Sequence, residues 1–581
     1  MALTDRPVVI LGAGINGAAL ARELVLNGVS VVLVDTSDMA FGTTAYSSRL
    51  IHGGLRYLEY GEFSLVRESL EERNRLLRLA PQFVRPLQLA IPVGKRSGGW
   101  LPSIRRFLGG QAPAAERGLW LVRAGLGFYD LYARDSHLPR HAAVRIGEAG
   151  AVPVDPQRYR WLCTYWDAQI PYPERFVAAL IEDARVSADT SGAEFTLYTY
   201  HRVRAVRDRL EIHRVSDPSG QPVRTVQPAA IVNATGAWVD LTLEQLGVIT
   251  RPLIGGTQGS HFLTFHRPLA EALGGQGLYA EAEDGRPVFL LPWDRGTLVG
   301  TTDIPFHGDP AAAVATEAEL DYLVEVVRQL FPQLDLTRDD VHMHYAGVRP
   351  LPRTGGGTPA SVTRRHWMEE HAGSGAPMYS IVGGKLTTCR SLAEQATATI
   401  LRRLGRSPTA NSRNRPIPGG ESYPADQTEL QTAWQRLESR FRLPHESIRS
   451  IWTLCGSRTE RVLEALDELP SPCLPSPYLT GPYLTGPYLT GPYLTGTSLP
   501  KSFVRWVIRN EWVTTLDDLI ERRLMLLYDP NVSPATLDEL GELLVASNKL
   551  AGADAAHAVS ATCRRLQDHF GKRLCDSTES V

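Results

Sequence analysis

Short apolar runs alternate with amphipathic stretches along the first part of the chain, a pattern typical of an α/β protein. Apolar runs at 8–11 and 31–34 flank a glycine-rich turn at 12–17, which predicts a strand, a turn, a helix and a second strand that ends at Asp35. Apolar residues at near-helical spacing predict further helices over 62–79, 174–184, 317–330 and 391–404. Short β-rich runs predict strands at 231–233, 288–291 and 297–300.

Helical patterns dominate after about residue 410 and predict a C-terminal helical domain over 406–581. The predicted helices cover 428–441, 459–469, 515–527, 536–547 and 553–570. A fourfold repeat of the pentapeptide PYLTG at 477–496 interrupts them. Because proline and glycine recur in every unit, the repeat is incompatible with a helix or a central strand. We expect an exposed loop over 475–496; a tyrosine-rich strip that binds a partner is the alternative.

Composition narrows the class of protein further. The 581 residues are 43% hydrophobic and 21% charged, enough for two or three globular domains. Lys and Arg number 61 against 63 Asp and Glu, so no nucleic-acid partner is expected. Six scattered cysteines without a metal-ligand spacing indicate reduced thiols in a cytoplasmic protein and no metal site. We expect no signal peptide and no bilayer-spanning segment, so that any membrane contact is peripheral.

The glycine-rich turn has the spacing of a dinucleotide-binding fingerprint. Gly12 permits a tight turn, Gly14 lets the backbone approach a pyrophosphate, and Gly17 lets the helix pack closely on the strand. The helix N-terminus stabilises phosphate charge, and Asp35 can accept a hydrogen bond from an adenosine ribose hydroxyl. This pattern alone is compatible with NAD and with FAD.

A second set of motifs separates these two cofactors. Residues 47–63, SSRLIHGGLRYLEYGEF, resemble the FAD-dependent glycerol-3-phosphate dehydrogenases, the quinone-linked respiratory enzymes. The resemblance continues in order through NATGAWV at 233–239, GSH at 259–261, GTTD at 300–303, GVRPL at 347–351, GGKLTT at 383–388 and, more weakly, NEWV at 510–513. Several motifs in the family's order are more specific than any one of them.

The resemblance implies an α/β fold in which a Rossmann-like FAD-binding domain is interleaved with a substrate-binding domain built on a mixed antiparallel sheet. We assign 1–80, 166–249 and 346–405 to the FAD-binding domain. The segments 81–165 and 250–345 are assigned to the substrate-binding domain. In this arrangement the chain returns to the flavin in three separate segments.

The same motifs imply which residues hold FAD. Arg49 stands where the family usually has a lysine, a change that keeps the charge. The expected cofactor-binding residues are Gly12, Gly14, Gly17, Asp35, Thr43, Thr44, Ser47, Ser48, Ala234, Thr235, Gly236, Gly384, Lys385 and Thr387.

The implied substrate, sn-glycerol 3-phosphate, needs cations for its phosphate, and arginine suits it because its guanidinium donates two parallel hydrogen bonds. The resemblance implies the anion-binding set Arg56, Tyr57, Arg349, Arg364 and Lys385. Arg364 is followed by a second arginine where the family usually has an acid, which leaves open which of the two faces the pocket.

Oxidation also needs a group that removes the proton of the C2 hydroxyl. The resemblance implies His261, Arg349 and His52 as the catalytic residues, with both histidines near the flavin or the alcohol. The ordinary pKa of histidine, near 6.5, suits a general base at His261. Alternatively, Arg349 stabilises a developing alkoxide and no discrete base is needed. For His52, the alternative is a purely structural role.

The reduced flavin must then be reoxidised. The resemblance implies a quinone acceptor, reached from a peripheral position at the inner face of the cell membrane. Residues 100–108 and 120–123 mix bulky apolar side chains with arginines, as interfacial segments do; an ordinary packed segment is the alternative. A homodimer is a further expectation. The alternative activities are a glycerol-3-phosphate oxidase that uses O2 and an FAD-dependent amine or amino-acid oxidase of the same superfamily.

Overall fold

A computed structural model describes residues 6–96, 118–133, 138–217, 219–353, 365–372, 375–467 and 492–575. The chain divides into two compact units. The first comprises Met1–Arg78, Val84–Pro173 and Leu180–Arg415, and the second comprises Leu79–Phe83, Glu174–Ala179 and Pro416–Val581.

The strands lie in the first unit. In chain order they are β1 (Val8–Leu11), β2 (Val31–Val34), β3 (Leu50–Ile51), β4 (Arg85–Val93), β5 (Ala142–Arg145), β6 (Trp161–Gln169), β7 (Phe195–Tyr198), β8 (His201–Val206), β9 (Arg209–Arg214), β10 (Arg224–Val226), β11 (Ala230–Asn233), β12 (Thr257–Thr264), β13 (Gly277–Glu281), β14 (Pro287–Trp293), β15 (Gly296–Gly300), β16 (Ile304–Pro305), β17 (Val341–Arg349), β18 (Trp367–His371) and β19 (Met378–Val382).

Helices occur in both units. In chain order they are α1 (Ile15–Leu26), α2 (Phe63–Leu79), α3 (Leu119–Ala133), α4 (Pro173–Ser191), α5 (Val239–Gln245), α6 (Arg267–Leu273), α7 (Glu317–Leu330), α8 (Cys389–Arg403), α9 (Gln427–Phe441), α10 (His445–Cys455), α11 (Thr459–Glu464), α12 (Lys501–Asn510), α13 (Leu516–Asp518), α14 (Pro534–Ala546) and α15 (Ala555–Phe570).

A six-stranded, mostly parallel sheet contains the two strands that flank the glycine-rich turn. Its strand order is β18-β19-β11-β1-β2-β7, and only the edge pair β18–β19 is antiparallel. The residues of β1 and β2 are all buried, as expected for central parallel strands that read as continuous apolar runs. The predicted strand–turn–helix–strand unit over 8–35 is therefore confirmed.

A three-stranded antiparallel sheet has the order β10-β9-β8, and the remaining strands form a larger mixed sheet. Its order is β16-β12-β15-β14-β13-β4-β6-β3, with β17 paired to β12 and β5 paired to β6. The pairing is antiparallel except between β13 and β4. Helix α7 has the predicted bounds, and its apolar face packs in one buried cluster with β12 to β15. The α/β fold class with mixed sheets is confirmed, while the domain limits inferred from the sequence stay a prediction.

The second unit is helical, as predicted, but its segmentation differs in places. The pattern at 515–527 is not one helix: α13 leads into a π-helical turn (Leu519–Arg523). The left-handed residue Met525, with φ of 58°, separates that turn from a 3-10 turn (Leu526–Tyr528). Helices α10 and α12 were not predicted. Each begins after a proline at the N-cap, a signal that could have located them.

The expectation of an exposed loop over 475–496 is wrong for the fourth PYLTG copy. Tyr493 and Leu494 are only 8% and 1% exposed. The backbone N–H and hydroxyl of Thr495 both donate to the carboxylate of Glu539, at 2.9 and 2.8 Å. Because the repeat lacks helical and strand periodicity, no local pattern indicates that one copy would pack by specific side-chain contacts. Residues 477–491 lie outside the described part of the chain.

The cysteines and the length of the apolar helices bear on two further expectations. Among the described residues, Cys163, Cys389, Cys455, Cys563 and Cys575 form no disulfide bond. The described helices include no apolar segment of the length that spans a bilayer.

Candidate active site

The turn between β1 and α1 builds the first wall of a cavity. Gly12 has a φ of +99°, and a Cβ at this position would lie 2.8 Å from the carbonyl oxygen of Ala234. A Cβ at Gly17 would lie 1.9 Å from the carbonyl oxygen of Gly12. Both positions therefore require glycine, one for the turn and one for close packing of helix on strand.

An acid and a hydroxyl fix the loops beside this turn. Asp35 accepts hydrogen bonds from the backbone N–H groups of Ala13 and Ser37, at 2.6 and 2.8 Å. The hydroxyl of Thr44 accepts from the N–H of Ile15 at the start of α1, at 3.1 Å. The carboxylate is thus held at the end of β2, where a dinucleotide ribose would meet it.

The cavity has a volume of about 620 Å³ and collects nearly all of the predicted site residues. Gly17 is the exception among the placed residues, because it packs behind the turn. The side chain of Arg56 and the whole of Arg364 lie outside what the structure describes. The predicted residues that line the cavity are Gly12, Gly14, Asp35, Thr43, Thr44, Ser47, Ser48, His52, Tyr57, Ala234, Thr235, Gly236, His261, Arg349, Gly384, Lys385 and Thr387.

A buried network of polar side chains, which no sequence motif indicated, holds the backbone of Gly53 in place. The N–H of Gly53 donates to the hydroxyl of Tyr129 at 2.9 Å and to the carboxylate of Asp167 at 3.2 Å. Tyr129 donates in turn to Asp167 at 2.6 Å, and Arg73 pairs with the same carboxylate at 3.1 Å. Burial, and then the charge of Asp167, raise the pKa of Tyr129 well above its usual value, so the tyrosine remains a donor. These contacts orient the turn (Leu55–Tyr60) that carries Tyr57.

His261 lies in β12, almost fully buried. Its Nε2 is hydrogen bonded to the hydroxyl of Ser48 at 2.9 Å, and its ring stacks on Tyr345 with centroids 4.9 Å apart. Burial, followed by the nearby charges of Arg349 and Arg49, lowers the pKa of His261 well below 6.5. The imidazole is therefore neutral at physiological pH and has a lone pair that can accept a proton.

Arg349 ends β17 and is held by the loop after β15. One guanidinium nitrogen donates to the carboxylate of Asp303 at 3.1 Å. The other donates to the hydroxyl of Thr301 at 2.6 Å and to the carbonyl oxygen of Thr302 at 3.1 Å. Contacts on both arms of the fork fix the orientation of the cation in the cavity wall.

The remaining predicted cationic and histidine residues have different surroundings. The ammonium of Lys385 is 4.2 Å from the ring centroid of Tyr57, a cation–π contact. Arg365 is exposed and donates to the hydroxyl of Ser64 at 2.9 Å. His52 is half-buried, and its backbone N–H donates to the hydroxyl of Thr387 at 3.1 Å.

The depressed pKa of His261 has a consequence for stability. Below pH 6.5 the unfolded chain binds a proton at this histidine and the folded chain does not, so stability falls as the pH decreases. One such group contributes up to about 1.4 kcal/mol per pH unit. We expect the loss of unfolding free energy of the first unit between pH 7.5 and 5.5, measured by urea titration, to be smaller in His261→Gln than in the unaltered protein. Equal losses would show that His261 is protonated in the folded state.

The residues that line the cavity are of the kinds that bind FAD. Two cavity-lining positions exclude a Cβ: at Gly12 it would clash with the backbone of Ala234 and Thr235, and at Gly384, with φ of +95°, it would lie 2.4 Å from the side chain of Asn16. An acid lies at the ribose end, and fixed donors and cations lie in the cavity wall. A βαβ glycine turn, a cavity lined by strands of one unit and a neutral imidazole near an arginine are what a dinucleotide-dependent oxidoreductase needs.

Comparison with known proteins supports the assignment of the cavity to FAD. Residues 7–390 match the family model described as FAD dependent oxidoreductase. The chain is 35% identical over 496 residues to a glycerol-3-phosphate dehydrogenase of Synechocystis, covering 80% of this chain and 82% of the relative. It is 31% identical over 471 residues to the aerobic glycerol-3-phosphate dehydrogenase of Escherichia coli, covering 79% and 86% of the two chains. The chain therefore belongs to the FAD-dependent glycerol-3-phosphate dehydrogenase family, and FAD is its cofactor.

Two further relatives add detail. A D-erythritol 1-phosphate dehydrogenase of Brucella abortus is 30% identical over 525 residues, which cover 88% of this chain and 93% of the relative. The solved structure of the glycerol-3-phosphate dehydrogenase from Bacillus halodurans, complexed with FAD, superposes with a TM-score of 0.65 at 19% identity and covers 100% of this chain and 97% of that one. This superposition supports the α/β fold with its C-terminal helical region.

Proposed function

We propose that the protein oxidises sn-glycerol 3-phosphate to dihydroxyacetone phosphate and passes the electrons to a quinone. The observation that carries this proposal is the fixed guanidinium of Arg349 in the wall of the FAD cavity, with the neutral imidazole of His261 in the same wall. When bound, the flavin supplies a hydride acceptor at N5. The C2 carbon loses a hydride and the hydroxyl loses a proton, which leaves the ketone.

The protein's part is to bind the anion, orient the alcohol and accept the proton. Arg349 and Lys385 supply positive charge for a phosphate or a developing alkoxide. His261 is the candidate base because its neutral imidazole lines the cavity and its Nε2 is hydrogen bonded to Ser48. Its lowered pKa differs from the ordinary value expected from the sequence and makes it a weaker base than a free histidine. If Arg349 alone stabilises the alkoxide, His261→Gln reduces the rate of oxidation only slightly. A loss of several hundredfold would assign the base to His261.

The electron acceptor separates a dehydrogenase from an oxidase. We expect the reduced protein to be reoxidised faster by a soluble ubiquinone analogue than by dissolved oxygen, without accumulation of hydrogen peroxide. Stopped-flow recovery of the flavin absorbance measures both rates. Stoichiometric hydrogen peroxide and no reaction with the quinone would instead establish a glycerol-3-phosphate oxidase.

A longer polyol phosphate is the second candidate substrate. The relative named D-erythritol 1-phosphate dehydrogenase matches a larger share of this chain than the two glycerol-3-phosphate dehydrogenases given above. Both substrates present a phosphate and a secondary alcohol to the same cations. Comparison of kcat/KM for the two phosphates decides between them, and the proposal requires the higher value for sn-glycerol 3-phosphate.

We also propose a membrane-facing surface on α3, as part of a peripheral location at the inner face of the cell membrane. Trp120, Phe128 and Leu131 are 49%, 58% and 67% exposed, and Phe63 is 37% exposed. The positions 120, 128 and 131 recur at helical spacing, while Val122, Leu126 and Tyr129 on the inner side are buried. Arg123 lies over the ring of Trp120, which adds a cation for anionic headgroups. The companion segment 100–108 lies outside the described residues, and a homodimer stays a prediction.

Loss of these apolar side chains should weaken binding to lipid. We expect Trp120→Ser, Phe128→Ser and Leu131→Ser combined to lower partitioning onto anionic phospholipid vesicles by at least about tenfold, since burial of one large apolar side chain contributes roughly 1.5–3 kcal/mol. Ile249→Ser is the matched control, because Ile249 is a fully exposed apolar residue elsewhere in the same unit. Sedimentation with vesicles measures the effect. Equal partitioning of the triple variant and the control would contradict the proposal that this surface binds the membrane.

A further inference from the structure

One buried carboxylate lies behind the wall of the active-site cavity. Glu319, in the first turn of α7, is only 3% exposed. It completes a capping box with Thr316, in which each residue's side chain accepts a hydrogen bond from the other's backbone. The capping box explains how α7 begins. It leaves most of the contacts of this carboxylate unexplained.

The two carboxylate oxygens have different partners. Oε2 accepts from the backbone and hydroxyl of Thr316 and from the side-chain amide of Gln258, the last at 2.8 Å. Oε1 accepts from the hydroxyls of Ser260 and Thr302, at 2.8 and 2.6 Å. The hydroxyl of Thr302 also accepts from the backbone N–H of Ser260, at 2.8 Å. Oε1 therefore joins strand β12 to the loop that follows β15.

Both joined segments carry the active-site groups. Ser260 immediately precedes His261 in β12. Thr302 lies between Thr301 and Asp303, and all three residues accept hydrogen bonds from the guanidinium of Arg349. A Cβ at Gly259 would lie 2.0 Å from the Arg349 guanidinium, so β12 and the arginine are in close contact.

We infer that Glu319 is a positioning residue that holds the 301–303 loop against β12 through Thr302 and thereby fixes Arg349 relative to His261. The inference rests on the proposed function, because it assigns Glu319 to the orientation of the groups that oxidise the substrate. Glu319 itself touches neither the guanidinium nor the imidazole.

The electrostatics favour a role beyond helix capping. Burial would raise the pKa of Glu319, but the hydrogen bonds from Thr302, from the Thr316 backbone and from Ser260 outweigh burial and lower it. The carboxylate is thus ionised when buried, and such a charge is tolerated only when its hydrogen bonds are satisfied. An exposed cap needs no such set of donors.

Substitutions at Thr302 isolate the link. Thr302→Val keeps the shape of the side chain but removes the hydroxyl that joins the 301–303 loop to Glu319 and to the Ser260 backbone, whereas Thr302→Ser keeps that hydroxyl. We expect Thr302→Val and Glu319→Gln to slow anaerobic flavin reduction by about 10- to 100-fold, since small displacements of positioned groups have effects of this size. Thr302→Ser should remain within about threefold of the unaltered rate.

Two further readouts separate positioning from stability. Thr316→Ala removes the cap of α7 on the Oε2 side, so it should lower the melting temperature without slowing reduction. The dissociation constant of inorganic phosphate, read from the perturbed flavin spectrum, should rise in Thr302→Val and not in Thr316→Ala.

The outcomes distinguish this inference from the proposed function. If the unaltered protein is not reduced by sn-glycerol 3-phosphate, the proposed function fails, and the phosphate titration still tests the position of Arg349. If the unaltered protein is reduced, and Thr302→Val matches it in rate and in phosphate affinity, Glu319 is a helix cap only. A slow Thr302→Ser variant would also overturn the inference, because the hydroxyl would then not be the essential group.

Discussion

Arg349→Ala is expected to slow flavin reduction by sn-glycerol 3-phosphate by on the order of 10³-fold, the scale found when a preorganised charged or hydrogen-bonding group is removed from an active site. The physical reason is the fixed fork: Asp303, Thr301 and Thr302 hold the guanidinium in one orientation in the cavity wall. Arg349→Lys should recover only part of the rate, because an ammonium cannot reproduce two parallel hydrogen bonds. Stopped-flow absorbance under anaerobic conditions gives the rate constants.

Arg365→Ala is the matched control for Arg349→Ala. It removes the same side chain from an exposed position, where Arg365 donates to Ser64. We expect a rate within about twofold of the unaltered protein, since contacts of exposed side chains contribute little. A loss at Arg365 equal to that at Arg349 would show that the anion-binding set is misassigned and that Arg365 faces the substrate.

Gly12→Ala is expected to yield protein with less than about one-tenth of the normal flavin content. An alanine at φ of +99° is strained, and its Cβ would approach the backbone of Ala234 and Thr235 to within 3 Å. Backbone atoms cannot move aside as a flexible side chain does, so the end of β11 must shift and the cofactor cradle opens. The ratio of flavin to protein absorbance after purification measures the effect.

Gly125→Ala provides the comparison for this glycine substitution. Gly125 lies in α3, and a Cβ at this position would meet no atom within 4 Å. The variant should fold with normal flavin content and slightly increased stability, because alanine has the higher helix propensity. Full flavin occupancy in Gly12→Ala would show that the turn after β1 does not bind the cofactor.

Elements whose signals lie within one short stretch of sequence were predicted correctly. The glycine turn at 12–17 and the helix at 317–330 are recoverable because their periodicity and glycine spacing lie within one short stretch. The motifs around His261, Arg349 and Lys385 also predicted residues that meet in one cavity. Their roles as base and anion-binding groups stay predictions.

Contacts between distant residues could not be predicted in the same way. Gly53 meets Tyr129 and Asp167 across 76 and 114 residues. At Glu319 the sequence shows a capping signature with Thr316, but nothing local indicates that the same carboxylate also binds Ser260, 59 residues away. The burial of Leu494 in the fourth repeat is likewise a product of the tertiary fold, because identical pentapeptides precede it.

An anaerobic titration of the purified yellow protein tests the central claim most directly. Addition of sn-glycerol 3-phosphate should bleach the visible flavin absorbance rapidly, with dihydroxyacetone phosphate formed in equal amount. Glycerol and amino acids should leave the spectrum unchanged, because neither offers a phosphate to the fixed cations. A flavin that stays oxidised with sn-glycerol 3-phosphate but is bleached by an amino acid would contradict the assignment and identify an amino-acid oxidase.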